Sequence, residues 1–134
     1  MNTLLIESTK LCPKVEFNPD RNIFEISGES IPENAADFYN PLLKWLDDYE
    51  LRLYYMKTES GKSAKLTLDI KYDYFNSTSA KFILDIFTKI QKFIIEGYEA
   101  QINWHYQKGD TDMLEAGEEL GGLCPKLIIE YKEM

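Results

Sequence analysis

The feature that most constrains this chain is a change of hydrophobic period at Asn76-Ser77-Thr78-Ser79. Before it, Lys65 to Phe75 alternates with period two. Leu66, Leu68, Ile70, Tyr72 and Tyr74 share one face, while Thr67, Asp69, Lys71 and Asp73 share the other, as on a half-buried strand. After it, Phe82, Ile83, Ile86, Phe87, Ile90, Phe93 and Ile94 recur at three- and four-residue spacing, as on a buried helix face. A strand that feeds a helix through small polar residues exposes helix-start N–H groups and the positive end of the helix dipole, where an oxyanion or phosphate is stabilised. Asn76, Ser77, Thr78 and Ser79 read first as helix caps. One such residue suffices for a cap, however, and adjacent hydroxyls at a helix start also suit a phosphorylation switch.

The rest of the chain extends this pattern. Leu4-Leu5-Ile6 lies in an N-terminal stretch, residues 1–10, that is either an arm or a first edge strand. Lys14 to Phe17 and Asn22 to Ser27 predict two short strands, and Asn18-Pro19-Asp20-Arg21 between them has the chemistry of a hairpin turn. Gly28 to Asn34 (G-E-S-I-P-E-N) reads as a β–α loop. Loops at strand ends are where α/β proteins keep their sites, so Gly28, Glu29, Ser30, Pro32, Glu33 and Asn34 are candidates for lining one.

A helix follows from Ala35, with Phe38, Leu42, Trp45, Leu46, Tyr49 and Leu53 as its apolar stripe. Pro41 predicts either a kink or a helix start at that point. Thr58 to Ser63 reads as a polar loop, Gly97 as a helix stop and Ala100 to Tyr106 as a strand. Thr111 to Leu120 predicts a short acidic helix closed by Gly121-Gly122, and Leu127 to Tyr131 a last strand. The order β-β-α-β-α-β-α-β over residues 1–134 predicts a single α/β domain, a small mixed β-sheet flanked by helices.

Composition narrows the function classes. With 15 basic against 23 acidic residues the formal charge is −8, which argues against nucleic acid and anionic membranes as partners. No apolar run approaches membrane-spanning length and no basic-then-apolar leader opens the chain, so a cytosolic protein is expected. Cys12 and Cys124, far apart, are expected to be reduced and structural.

Catalytic signals are thin. His105, the only histidine, offers a general base for a small enzyme. Asp69, Asp73 and Asp85 offer a magnesium site, although Asp69 and Asp73 also read as a solvated strand face. The acidic run Asp110 to Glu119 reads as a solvated helix face. No cofactor motif is present, and a small-ligand pocket at the Gly28–Asn34 loop is the other alternative.

Five stretches together carry a resemblance: T-K-L-C-P-K-V-E-F, I-S-G-E-S-I-P-E-N, F-Y-N-P-L-L-K-W-L, Y-F-N-S-T-S-A-K and D-M-L-E-A-G-E-E-L. From about Thr9 to the C-terminus the chain resembles the SiaC family of bacterial regulatory phosphoproteins. The resemblance implies a STAS-like fold, related to anti-sigma-factor antagonists, and a non-enzymatic partner-switching function without a cofactor. A serine/threonine kinase would phosphorylate a hydroxyl at the strand–helix junction and a PP2C-type phosphatase would remove it. The unmodified form would bind and activate a diguanylate cyclase, controlling cyclic-di-GMP and biofilm formation. By motif register the modified residue is Ser77, directly after Asn76. The family pattern N-T-S-S becomes N-S-T-S here, which leaves Thr78 as the alternative. Ser79 and Lys81 flank the implied site.

Overall fold

The computed structural model describes all 134 residues. Six strands form one sheet in sequence order: β1 (Leu4–Ile6), β2 (Lys14–Asn18), β3 (Ile23–Ser30), β4 (Leu66–Phe75), β5 (Ala100–Tyr106) and β6 (Ile129–Glu133). The first three pair antiparallel and β3 to β6 pair parallel, so the sheet is mixed. Helices α1 (Ala35–Ser60), α2 (Ser77–Ile95) and α3 (Thr111–Gly122) are the three parallel crossovers. Successive right-handed crossovers that advance in one direction put every helix on the same face. Burial agrees. Leu66, Leu68, Ile70 and Tyr72 are buried with Phe24, Ile26, Ile102 and Trp104 in one core cluster, whereas Thr67, Asp69 and Lys71 are only half-buried on the opposite face. No helix is long and apolar enough to cross a membrane.

The structure decides the boundaries that the sequence left open and moves several others. The N-terminal stretch supplies an edge strand, β1, whose Leu4 pairs with Phe17, and Trp45 Nε1 donates to the Asn2 carbonyl at 2.9 Å. Asn34 caps α1 by accepting from the Asp37 N–H at 3.2 Å, so the helix starts before Pro41 and runs through it. Pro41 offers no N–H to the Asp37 carbonyl, a loss that falls on the exposed side of the helix. Thr58 to Ser60 belong to α1, which ends where Gly61 takes a φ of +69° and donates to the Lys57 carbonyl. The two terminal glycines, Gly121 and Gly122, lie inside α3 rather than after it. Leu127 sits buried in a turn with its N–H on the Cys124 carbonyl, and β6 starts two residues later than expected, at Ile129.

One irregularity matters for the site. Gly28 pairs with Tyr72 and Glu29 with Tyr74, so Asp73 is an extra residue in β4. Such a bulge reverses the side-chain phase. Tyr74, expected on the core face, is 54% exposed, and Phe75 packs inward against Tyr72 and Trp104 instead.

Trp104 is fully buried and donates its indole N–H to the Met113 carbonyl at 2.9 Å. A Cβ at Gly117 would lie 2.4 Å from Trp104 Nε1. Gly117→Ala should therefore destabilise by about 1–2 kcal/mol, overpacking outweighing the helix-propensity gain. Urea unfolding monitored by tryptophan fluorescence measures this; a stabilised variant would show that Trp104 has room to shift.

Candidate functional site

Strands β3 and β4 run parallel and end together, with Ser30 opposite Phe75. Helices α1 and α2 therefore begin at the same edge of the sheet, capped by Asn34 and Asn76. Asn76 Oδ1 accepts from the Ser79 N–H at 2.9 Å, and the Asn76 N–H donates to the Ser30 carbonyl at 3.1 Å. The cap is thus Asn76, one residue ahead of Ser77.

The hydroxyls that follow separate sharply. Ser77 and Thr78 are exposed, while Ser79 and Ser30 are fully buried. Ser79 Oγ donates to the Ser30 carbonyl at 3.1 Å and lies 2.9 Å from Ser30 Oγ. Ser30 Oγ lies 2.6 Å from Tyr39 Oη, which in turn lies 2.9 Å from Tyr72 Oη. Each hydroxyl has one proton. With the Ser79 proton on the carbonyl, Ser30 donates to Ser79, Tyr39 to Ser30 and Tyr72 to Tyr39. This single direction satisfies every donor and ties β3, α1, β4 and α2 together beneath the exposed pair. Burial pushes the Tyr39 phenol up and the Tyr72 phenol well up, so both stay neutral donors.

Gly28 to Ser30, expected as loop, belong to β3, leaving only residues 31–34 as the connection. The reason is that the parallel ladder continues past the bulge as far as Ser30. Gly28 has a φ of +111°, which a side chain would strain. Glu29, Glu33 and Asn34 are exposed and Pro32 is half-buried. Lys81 is exposed one helical turn beyond Ser77, with its Nζ 3.8 Å from Asp85 and 4.5 Å from the centre of the Phe82 ring. The structure thus brings the G-E-S and N-S-T-S segments into direct contact through Ser30 and Ser79.

The alternative chemistries do not assemble. His105 Nε2 lies 2.8 Å from Asp69 Oδ1 on the helix-free face, where Asn103 also donates to Asp69 at 3.1 Å. Asp85 pairs with Lys81 on α2, so Asp69, Asp73 and Asp85 do not converge, and no three acidic, histidine or cysteine groups gather to hold a metal. No surface cavity is lined by residues 28–34, because Ser30 is packed inward and the rest of the segment is a short connection. Sequence reasoning missed Tyr39, one position past the expected stripe member Phe38, and took Tyr72 only as an apolar strand residue. A tyrosine on a buried face needs a partner for its hydroxyl, and that was the available signal.

A SiaC family regulatory phosphoprotein model matches residues 6–134. The chain belongs to the SiaC family. An uncharacterised protein of Pseudomonas aeruginosa strain UCBPP-PA14 is 23% identical over 124 residues, covering 92% of this chain and 91% of its own. Among solved structures, SiaC of Pseudomonas aeruginosa superposes with a TM-score of 0.83 at 21% identity over all of both chains. SiaC in the crystal structure of the diguanylate cyclase SiaD with its activator SiaC gives a TM-score of 0.83 at 21% identity, covering 98% of this chain and 99% of that one. At this identity the superpositions establish the fold: the mixed six-stranded sheet with three helices is that of SiaC.

For this family member the cap geometry separates two substitutions. Asn76→Ala should cost about 1 kcal/mol, whereas exposed Ser77→Ala should stay within about 0.5 kcal/mol of the parent. Thermal unfolding of the two variants checks the order; a reversed order would make Ser77 the cap.

Proposed function

We propose that this chain is a non-enzymatic cytoplasmic regulator that binds and activates a diguanylate cyclase when unmodified. Phosphorylation of Ser77, with Thr78 as the alternative acceptor, switches it off. A serine/threonine kinase adds the phosphate and a PP2C-type phosphatase removes it. The observation that carries this reading is the division of labour at the start of α2. Asn76 caps, Ser79 is locked into the buried hydroxyl chain, and of the hydroxyls at the start of α2 only Ser77 and Thr78 are free. A phosphate placed there meets the favourable end of the helix dipole, and Lys81 lies one turn away, so the folded protein tolerates it. A partner packed dry against the same edge does not, because it must desolvate the dianion.

Family membership supports the regulatory phosphoprotein role, and the SiaD–SiaC complex supports a cyclase as the partner class. Glu29, Glu33 and Asn34 border the interface in this reading. The test is cyclic-di-GMP synthesis by a purified diguanylate cyclase from the same cell. The unmodified chain should raise its rate, and Ser77→Asp should raise it less. The aspartate effect is partial because it carries one charge where phosphate carries about −1.5 to −2. Equal stimulation by the parent and by Ser77→Asp, or none by the parent, would contradict the proposal.

A further inference from the structure

The sheet edge that carries Ser77 also holds a groove of about 300 Å³ between the end of β4 and the start of α3. Tyr74, Phe75, Met113 and Ala116 give it apolar walls, and Asp73, Asp110 and Asp112 give it carboxylates. The bulge in β4 builds one side. Because Asp73 is the extra residue, Tyr74 turns outward with about half of its surface exposed, while Phe75 turns in against Trp104. Bulges re-aim side chains in this way beside functional sites. The outcome is an aromatic ring left open to solvent next to half-buried Phe75 and buried Met113.

The charge of the groove is one-sided. No lysine or arginine lines it, and no salt bridge of the protein engages Asp73, Asp110 or Asp112. Two of the three serve the fold. Asp110 caps α3 by accepting from the Met113 N–H at 3.0 Å, and Asp112 lies in the first helical turn, where the dipole favours an acid. Asp73 has neither role. It stands exposed at the bulge, four residues before Ser77, and shares the groove with the other two. Neighbouring carboxylates without a cation repel one another, and an incoming basic group relieves that repulsion.

We infer that this groove docks the serine/threonine kinase that modifies Ser77, by taking an arginine of the kinase. The arginine stem lies along the apolar walls, and its guanidinium stacks on Tyr74 and pairs with Asp73 and Asp112. The inference rests on the phosphoswitch proposed above. Tyr74 and Phe75 precede Ser77 by three and two residues, so whatever fills the groove is held beside the hydroxyl. A kinase collects lysine, arginine and Mg²⁺ around its nucleotide phosphates. A basic rim around that site complements the acidic approach to Ser77. A second copy of this chain is the poorer fit, because at a net charge of −8 it brings the wrong sign.

The experiment measures phosphate transfer from ATP to the full chain, its Tyr74→Ala variant and its Asp73→Asn/Asp112→Asn variant. The enzyme is the native kinase, purified by its activity on the parent. Cyclase stimulation and phosphatase release are measured on the same proteins. The substituted side chains are exposed and the Asp110 cap is kept, so melting temperatures should be close to that of the parent. The two variants probe the groove independently, and either one decides if the other folds poorly. Each should raise KM about 10-fold with kcat little changed, as for binding remote from the transferred group. The asparagine pair should also flatten the salt dependence. Both variants should stimulate the cyclase as the parent does. Transfer to both at the parent's KM would overturn the groove while leaving the phosphoswitch standing. No phosphate on Ser77 or Thr78 of the parent would overturn the phosphoswitch, and the inference with it. Weakened cyclase stimulation or slowed phosphate release would assign the groove to the cyclase or the phosphatase and overturn the inference.

Discussion

Tyr39→Ala should cost about 3–5 kcal/mol, the usual loss for a large aromatic in a core. Tyr39 is fully buried, stacks on Phe82 at 5.5 Å between ring centres and supplies the middle link of the hydroxyl chain. The phenylalanine variants isolate the hydroxyl. Tyr39→Phe should cost about 1–3 kcal/mol, because it strands the Tyr72 O–H without an acceptor. Tyr72→Phe removes only the terminal donor and should cost about 0.5–1.5 kcal/mol. The double variant should be no worse than Tyr39→Phe alone, since the stranded donor has gone. Chemical denaturation of the four proteins checks this order. Additive costs would show that the protons do not run from Tyr72 toward Ser79.

Much of the frame was legible in the sequence for physical reasons. The period-two run before Asn76 and the helical run after it each report a single buried face, and that signal placed β4, α2 and the junction between them. Asn34 and Asn76 carry the chemistry of caps, and the helix expected from Ala35 does begin there, with Pro41 inside it rather than at its start. What was not legible depends on partners distant in sequence. The bulge that turns Tyr74 outward is a property of pairing with Gly28 and Glu29, so alternation alone placed it on the wrong face. The link from Ser30 to Ser79 spans 49 residues and became visible only when parallel pairing aligned the two strand ends. The late start of β6 likewise reflects the turn that buries Leu127, which strand propensity does not report.

Phosphoserine installed at position 77 during synthesis should weaken cyclase binding by about 100-fold or more, because excluding water from an unpaired dianion costs several kcal/mol. The same modification should leave the fold intact or raise its melting temperature slightly, since the charge lies at the first residue of α2. Opposite signs in the two measurements are the diagnostic, and Ser77→Ala should bind like the unmodified chain. A phosphoserine variant that unfolds would place the switch in stability rather than in the interface.

The proposed phosphoacceptor is tested most directly by intact-mass analysis of the chain from its native cells, with peptide mapping of the parent, Ser77→Ala and Thr78→Ala. The expected result is one phosphate on the parent and on Thr78→Ala, none on Ser77→Ala, and none on buried Ser79 in any of them. Phosphate retained by Ser77→Ala and lost from Thr78→Ala would move the switch one residue along the helix. Phosphate on neither residue in the presence of the kinase would contradict a switch at the start of α2.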